Sequence, residues 1–343
     1  MPMKWTMKKE GRLISNAQPA GRVKMTASCC CADCGNKEGE GGDINLKTCK
    51  SCMGVKYCNA VCQRKHWATH KKQCKLRAAE LRDEALFKDP PPKEDCPICF
   101  LPMPVKIISC VSLPAATISS VPIYDYAVAN EELAKEGTEE YFVCCGKSVC
   151  KGCIHSCRES GARKCPFCNA DRCSNTNEEM ADEIMKRVEA NDAASICLLA
   201  NYYYHGLHGI QQDLTKAIEL FTKAAELGFS EAHCQLGDIF YHEGGDLKKA
   251  KFHFGAAAMA GHEFARYNLG ILEAKSGKME QAVKHWTIAA SAGDYDAMHE
   301  LRLSFEEGSV SKESINSTLA AYNNSCVEMR SEARDACIRA ITE

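Results

Sequence analysis

The chain has 343 residues, a formal net charge of only −2 and 24 cysteines. That length leaves room for two or three domains. Neither an apolar leader nor an apolar run of membrane-spanning length is present in the sequence, so a secreted disulfide scaffold and a membrane protein are both excluded as expectations.

The cysteines gather between residues 29 and 173, with Cys197, Cys234, Cys326 and Cys337 beyond. Such clustering points to metal in a reducing compartment, cytoplasm or nucleus. Charge is also uneven. Residues 1–75 carry 15 Lys/Arg against 5 Asp/Glu, and the remainder 28 against 40. The basic residues are scattered among few aromatics, and thiolates bound to metal would reduce the positive balance. Direct nucleic-acid binding is not expected.

Residues 1–28 hold six basic residues and one acid, interrupted by Pro2, Gly11, Pro19 and Gly21. They read as a disordered basic tail.

Residues 29–75 contain C-A-D-C, C-K-S-C and Y-C-N-A-V-C-Q-R-K-H-W-A-T-H-K-K-Q-C. The closing Cys-x3-Cys and His-x3-Cys pairs each place two side chains on one helix face. Eight N/S ligands in so short a span make two closed tetrahedral sites. The stretch resembles a MYND zinc finger. The resemblance implies one zinc held by Cys31, Cys34, Cys58 and Cys62, and a second by Cys49, Cys52, His70 and Cys74. Tyr57, Gln63 and Trp67 match further family positions, and such fingers bind short proline-containing peptides. The Gly- and Glu-rich run before Cys49 reads as an inserted loop.

Residues 76–93 continue the helix to about Lys88, with a modest apolar stripe at Leu76, Ala79 and Leu86. Asp89-Pro90-Pro91-Pro92 ends it and reads as a stiff spacer.

Residues 94–173 form a second cluster: Cys96-Pro-Ile-Cys99, then Cys144-Cys145-Gly-Lys-Ser-Val-Cys150-Lys-Gly-Cys153, then Cys165-Pro-Phe-Cys168. They resemble an all-cysteine RING finger with a long loop insertion that contains strand-like pieces and a short helix. The resemblance implies one site from Cys96, Cys99, Cys150 and Cys153, and a second from Cys144, Cys145, Cys165 and Cys168. Adjacent Cys144 and Cys145 need a local turn, for which Gly146 is available. His155 and Cys157 are the alternative ligands. Ile98 and Pro166 match the positions with which RING fingers grip a ubiquitin-conjugating enzyme. Four zinc ions per chain are expected.

Residues 174–192 begin with a Thr176-x-x-Glu179 capping box and read as a linker helix to about Glu189. A repeat follows. A-H-C-Q-L-G at 232–237 returns as A-R-Y-N-L-G at 265–270 and A-M-H-E-L-R at 297–302. Each unit predicts two helices and a closing glycine, Gly228, Gly261 or Gly293, with Asp213 and Asp246 as helix caps. Residues 193–308 resemble Sel-like repeats, relatives of the tetratricopeptide repeat, which stack into a solenoid with a groove for a ligand. Residues 309–343 predict one capping helix. Tyr202, Tyr203 and Tyr204 read as core and groove lining, and the histidines of the repeats form no close metal pattern.

The expected fold class is mainly α: two small zinc-stabilised fingers followed by an α-solenoid. No phosphate loop, H-E-x-x-H motif or nucleophile elbow occurs. The resemblances imply a RING-type ubiquitin transferase without a catalytic nucleophile of its own, which recruits substrate through the MYND finger and the repeats. The alternative is a non-catalytic protein–protein interaction adaptor or scaffold, such as one in transcriptional regulation.

Overall fold

A computed structural model describes residues 30–37, 45–103, 139–170 and 177–342. The chain divides into two compact units, 1–83 and 84–343. The basic tail, the strand-like and helical pieces of the insertion, and the capping residue Thr176 lie outside the described residues. The architecture is mainly helical, as expected.

The first unit is built on a two-stranded antiparallel ribbon, β1 (Lys47–Thr48) and β2 (Lys56–Tyr57), and on a long helix, α1 (Ala60–Leu86). Asn59 starts the helix, its Oδ1 accepting from the amides of Val61 and Cys62. The residues that α1 buries are Cys62, His70 and Cys74. Leu76 and Ala79 of the anticipated apolar stripe are exposed, Leu76 at 55%, so the stripe is not a packing face over this part of the helix. This end of the helix is organised by metal-ligand chemistry, not by an apolar seam.

The second unit opens with the tail of α1 and the second finger. β3 (Glu139–Phe142) pairs antiparallel with β4 (Lys147–Cys150), and α2 (Lys151–Glu159) follows directly. Phe142, Val149 and Ile154 form the finger's small apolar core.

α3 (Asn177–Glu189) leads into the repeats: α4 (Ala193–His205), α5 (Leu214–Glu226), α6 (Ser230–His242), α7 (Leu247–Met259), α8 (Glu263–Lys275), α9 (Met279–Ser291) and α10 (Tyr295–Glu306). Neighbouring helices pack in chain order. Asp213 and Asp246 cap α5 and α7 as predicted. Gly228, Gly261 and Gly293 adopt φ of +89°, +92° and +98°, which L-residues seldom reach. Fully buried alanines at 217, 224 and 232 recur at 250, 257 and 265 and again at 282, 289 and 297, so paired helices approach closely. The L-G step has a specific cause. A Cβ on Gly237 would lie 2.7 Å from the Phe254 ring, and one on Gly270 would lie 2.5 Å from Trp286 Nε1. Tyr202 is buried, while Tyr203 and Tyr204 are partly buried against the same helices.

The C-terminal region differs from the single helix predicted. α11 (Lys312–Glu328) covers the end of the repeats with Ile315, Leu319, Tyr322 and Cys326. The chain then breaks, and α12 (Glu332–Thr342) begins anew where Ser331 Oγ accepts from the Arg334 amide at 3.2 Å. α12 packs on α2 of the finger. The apolar content of 309–343 does not reveal this break, because Ser331 is an ordinary helix residue until its side chain becomes a cap.

The Asp89–Pro92 spacer and the residues on either side of it make contacts that the sequence did not suggest, Pro91 among them, 3.2 Å from where a Cβ on Gly261 would fall. Residues 86–93 lie against the repeats. Leu86 packs on the core of α6–α8. The Phe87 ring sits 4.6 Å from that of His285. Lys93 Nζ donates to the Ala292 carbonyl at 2.6 Å and pairs with Glu263 at 3.3 Å. Arg266, 2% exposed, donates to the carbonyls of Leu86 and Ala258, and so supplies a partner to an orphan carbonyl at the C-terminus of α1.

Candidate metal centres

Among the described residues four clusters of donors converge: Cys31, Cys34, Cys58 and Cys62; Cys49, Cys52, His70 and Cys74; Cys96, Cys99, Cys150 and Cys153; and Cys144, Cys145, Cys165 and Cys168. Within each cluster the ligand atoms lie within 4.8 Å of one another. Successive pairs alternate between partners in both fingers, so each finger is a cross-brace.

The donor sets fit zinc. Four sulfurs about 2.3 Å from a central zinc are about 3.8 Å apart, and a sulfur and an imidazole nitrogen about 3.6 Å. In the first site the Cys34–Cys58, Cys31–Cys58 and Cys58–Cys62 sulfurs are 3.6, 3.7 and 3.4 Å apart. In the second, Cys49 and Cys74 are 3.7 Å apart, and Cys52 Sγ lies 3.3 Å from His70 Nε2. In the third, Cys96–Cys153 and Cys99–Cys150 are both 3.9 Å. In the fourth, Cys145 and Cys165 are 3.6 Å apart. All of these cysteines are free thiols.

Every site contains the same local turn, at its first ligand pair in three sites and at its closing pair in the fourth. The amides of Gly35, Met53, Phe100 and Asn169 donate to the carbonyls of Cys31, Cys49, Cys96 and Cys165. Those four donors all have positive φ, +77°, +53°, +55° and +60°. The turn aims backbone N–H groups at the leading sulfur. Burial pushes these thiols up, yet the amides more than offset it. Cys31 falls to about 6 through the amides of Cys34, Cys58 and Asp33. Cys49 falls to about 6 through the Cys52 amide and the His70 side chain. Cys96 and Cys165 fall to about 7, chiefly through the amides of Cys99 and Cys168. Each site therefore has one donor poised as the thiolate that metal requires.

The adjacent pair meets its site through a turn. The amides of Cys145 and Gly146 both donate to the Phe142 carbonyl, and Gly146 takes φ +72°. His155 and Cys157 lie on α2 and belong to none of the four clusters. Lys147 lies over the Phe167 ring at 4.4 Å.

The anticipated partner-binding residues are placed as follows. Gln63 and Trp67 lie on the exposed surface of α1, and Trp67 is 41% exposed. Tyr57 is buried, its hydroxyl 2.9 Å from His66 Nδ1. Burial and the neighbouring Cys49 and Cys52 raise it to about 12. Pro166 is exposed, whereas Ile98 is half-buried against the finger's own core.

Two features were not foreseen. Phe100 stands one residue beyond Cys99 and is 76% exposed; its signal was its place in the knuckle. Arg334 is the other. Its Nε lies 3.4 Å from Cys150 Sγ and its Nη2 lies 3.5 Å from Cys99 Sγ. Nothing in the sequence marks it, since 184 residues separate it from Cys150.

Residues 31–74 match the MYND finger family, and residues 193–229, 230–262 and 264–294 match the Sel1 repeat. Both matches lie outside residues 94–173. No curated protein matches the chain. Among solved structures it is similar to a Sel1 repeat protein from Oxalobacter formigenes, at 20% identity and TM-score 0.40, covering 60% of this chain and 77% of that one. It is also similar to c5321, a protective antigen of uropathogenic Escherichia coli with an SLR fold, at 22% identity and TM-score 0.37, covering 56% and 43%. A third is the immunity protein PA5088 from Pseudomonas aeruginosa, at 18% identity and TM-score 0.28, covering 52% and 82%.

The chain thus carries a MYND finger, a second cross-brace of eight cysteines in two donor sets, and Sel1 repeats; all four donor sets fit zinc. Among the described residues no helix is long and apolar enough to cross a membrane.

Proposed function

We propose that this protein is a zinc-dependent interaction scaffold whose second finger acts as a RING-type ubiquitin ligase in the cytoplasm or nucleus. The interleaving of Cys96, Cys99, Cys150 and Cys153 with Cys144, Cys145, Cys165 and Cys168 carries the reading. Ile98 and Pro166 lie within the Cys96–Cys99 and Cys165–Cys168 knuckles of that cross-brace, which supports the reading. Four protein donors per site leave no open coordination position, so zinc here serves structure. The finger would hold a conjugating enzyme and orient its ubiquitin thioester, while the MYND finger and the repeats bring protein substrate.

The second reading is an adaptor without transfer activity. The half-burial of Ile98 in the finger's own core favours it, since that side chain then has less area to offer a partner.

Lysine discharge from a panel of ubiquitin-loaded conjugating enzymes separates the two. Acceleration by the wild type, lost in Ile98→Ala at unchanged zinc content, supports the ligase. Failure to accelerate discharge from any conjugating enzyme, with four zinc ions per chain, sinks it and leaves the adaptor.

A further inference from the structure

Both ends of the helical array meet the second finger. At the front, Arg187 of α3 donates to the Val143 carbonyl, and the Tyr141 hydroxyl lies 3.0 Å from Asp192 Oδ2 and from Ser195 Oγ. At the back, α12 lies so close to α2 that a Cβ on Gly152 would fall 2.7 Å from the Arg334 backbone. From there the Arg334 side chain, 4% exposed, reaches the third donor set. Besides the sulfurs of Cys150 and Cys99, its guanidinium donates to the carbonyls of Pro102, Leu101 and Met329.

We propose that Arg334 is a positioning residue for the third zinc site, and that zinc there is the clasp that fastens the last helix of the array to the finger. Four thiolates around one divalent ion leave a net charge of about −2. A buried guanidinium against two of the sulfurs offsets part of it, and donors to ligand atoms from outside the coordination shell tune metal affinity. The relation is reciprocal. Without the metal, Arg334 loses the charge that justifies its burial, and α12 loses a main attachment. Loading the finger and closing the array therefore form one cooperative step, whatever the finger recruits.

The test uses the full zinc-loaded chain and its Arg334→Gln variant, with Arg330→Gln as a control on the same segment. Zinc release to EDTA is followed together with amide exchange. In Arg334→Gln, one zinc of four should leave at least ten times faster, and exchange in 332–342 should rise while 214–306 stays protected. Arg330→Gln, which breaks the ion pair of Arg330 with Asp335, should match the wild type in zinc release. Cys99→Ser tests the reverse direction: loss of that zinc should raise exchange in 332–342. Wild-type zinc release in Arg334→Gln, or unchanged exchange of 332–342 in Cys99→Ser, overturns the proposal. Collapse of protection across 214–306 in either variant also overturns it, because the effect would then be general unfolding. A wild type holding no zinc in this finger would remove its premise and that of the ligase together, whereas zinc retained without ubiquitin transfer leaves it standing.

Discussion

Phe100 and Gly35 occupy the same backbone position in two different zinc knuckles, with φ of +55° and +77°. Glycine takes this conformation freely, and phenylalanine is strained in it by about 1–2 kcal/mol. Phe100 is also 76% exposed, so packing of its ring does not compensate. Gly35→Ala should therefore lower the stability of the first finger by about 1 kcal/mol. Phe100→Gly should cost nothing, or gain up to about 1 kcal/mol, because the released strain outweighs the entropy of the new glycine. Denaturant midpoints of the zinc-loaded variants measure both. A large loss in Phe100→Gly would mean that the ring has a structural role.

Two glycines of the repeats should respond with opposite sign. Gly270 faces Trp286 with no room for a Cβ, so Gly270→Ala should cost about 1–3 kcal/mol through overpacking. Gly255 lies inside α7 with open space above it. Gly255→Ala should gain about 0.5–1 kcal/mol from helix propensity alone. Thermal unfolding of the two variants side by side decides the matter, and equal shifts would contradict the packing described.

Arg266 ties residues 86–93 to the repeats by donating to the Leu86 and Ala258 carbonyls at 2.9 and 2.6 Å. Arg266→Met keeps the length of the side chain and removes both bonds. About 2–3 kcal/mol should be lost, since two carbonyls are left without their charged donor. Limited proteolysis within 84–93 should accelerate in the variant. Unchanged cleavage would show that Leu86, Phe87 and Lys93 suffice to hold the segment.

His285 is buried beside Phe87, and burial, with Arg266 and Lys251 nearby, lowers it to about 3. An unfolded histidine titrates near 6.5. The unfolded chain therefore binds the extra proton first as pH falls, and stability declines from about pH 6.5 downward until the folded value is reached. Between pH 7.5 and 5.5 this group alone should cost about 1.4 kcal/mol. His285→Leu should lose that share of the pH dependence. Urea titrations of both proteins at the two pH values give the difference, and parallel curves would refute it.

The donor sets were legible because zinc ligation depends on spacing that sequence displays directly. Cys58-x3-Cys62 and His70-x3-Cys74 meet on one helix face by helix geometry alone. The repeats were legible through the return of their alanines and glycines, since each buried alanine reports a helix contact one step away. The resemblance implied Cys144 and Cys145 as ligands, but the sequence left His155 and Cys157 open as alternatives. The choice depends on the turn at Phe142–Gly146, which two hydrogen bonds to one carbonyl create.

The sequence by itself determined the two fingers, the repeat, the capping aspartates and the closing glycines. Each of these rests on short-range geometry, where ligand spacing or helical period fixes which side chains can meet. The tertiary structure alone decided that residues 86–93 lie on the repeats, that the C-terminal region breaks at Ser331, and that Arg334 reaches the sulfurs of Cys99 and Cys150. The contacts of Arg266 and Arg334 join residues about 180 to 235 positions apart. No local pattern encodes them, because burying an arginine is favourable only once the folded chain has brought carbonyls and thiolate sulfurs around it.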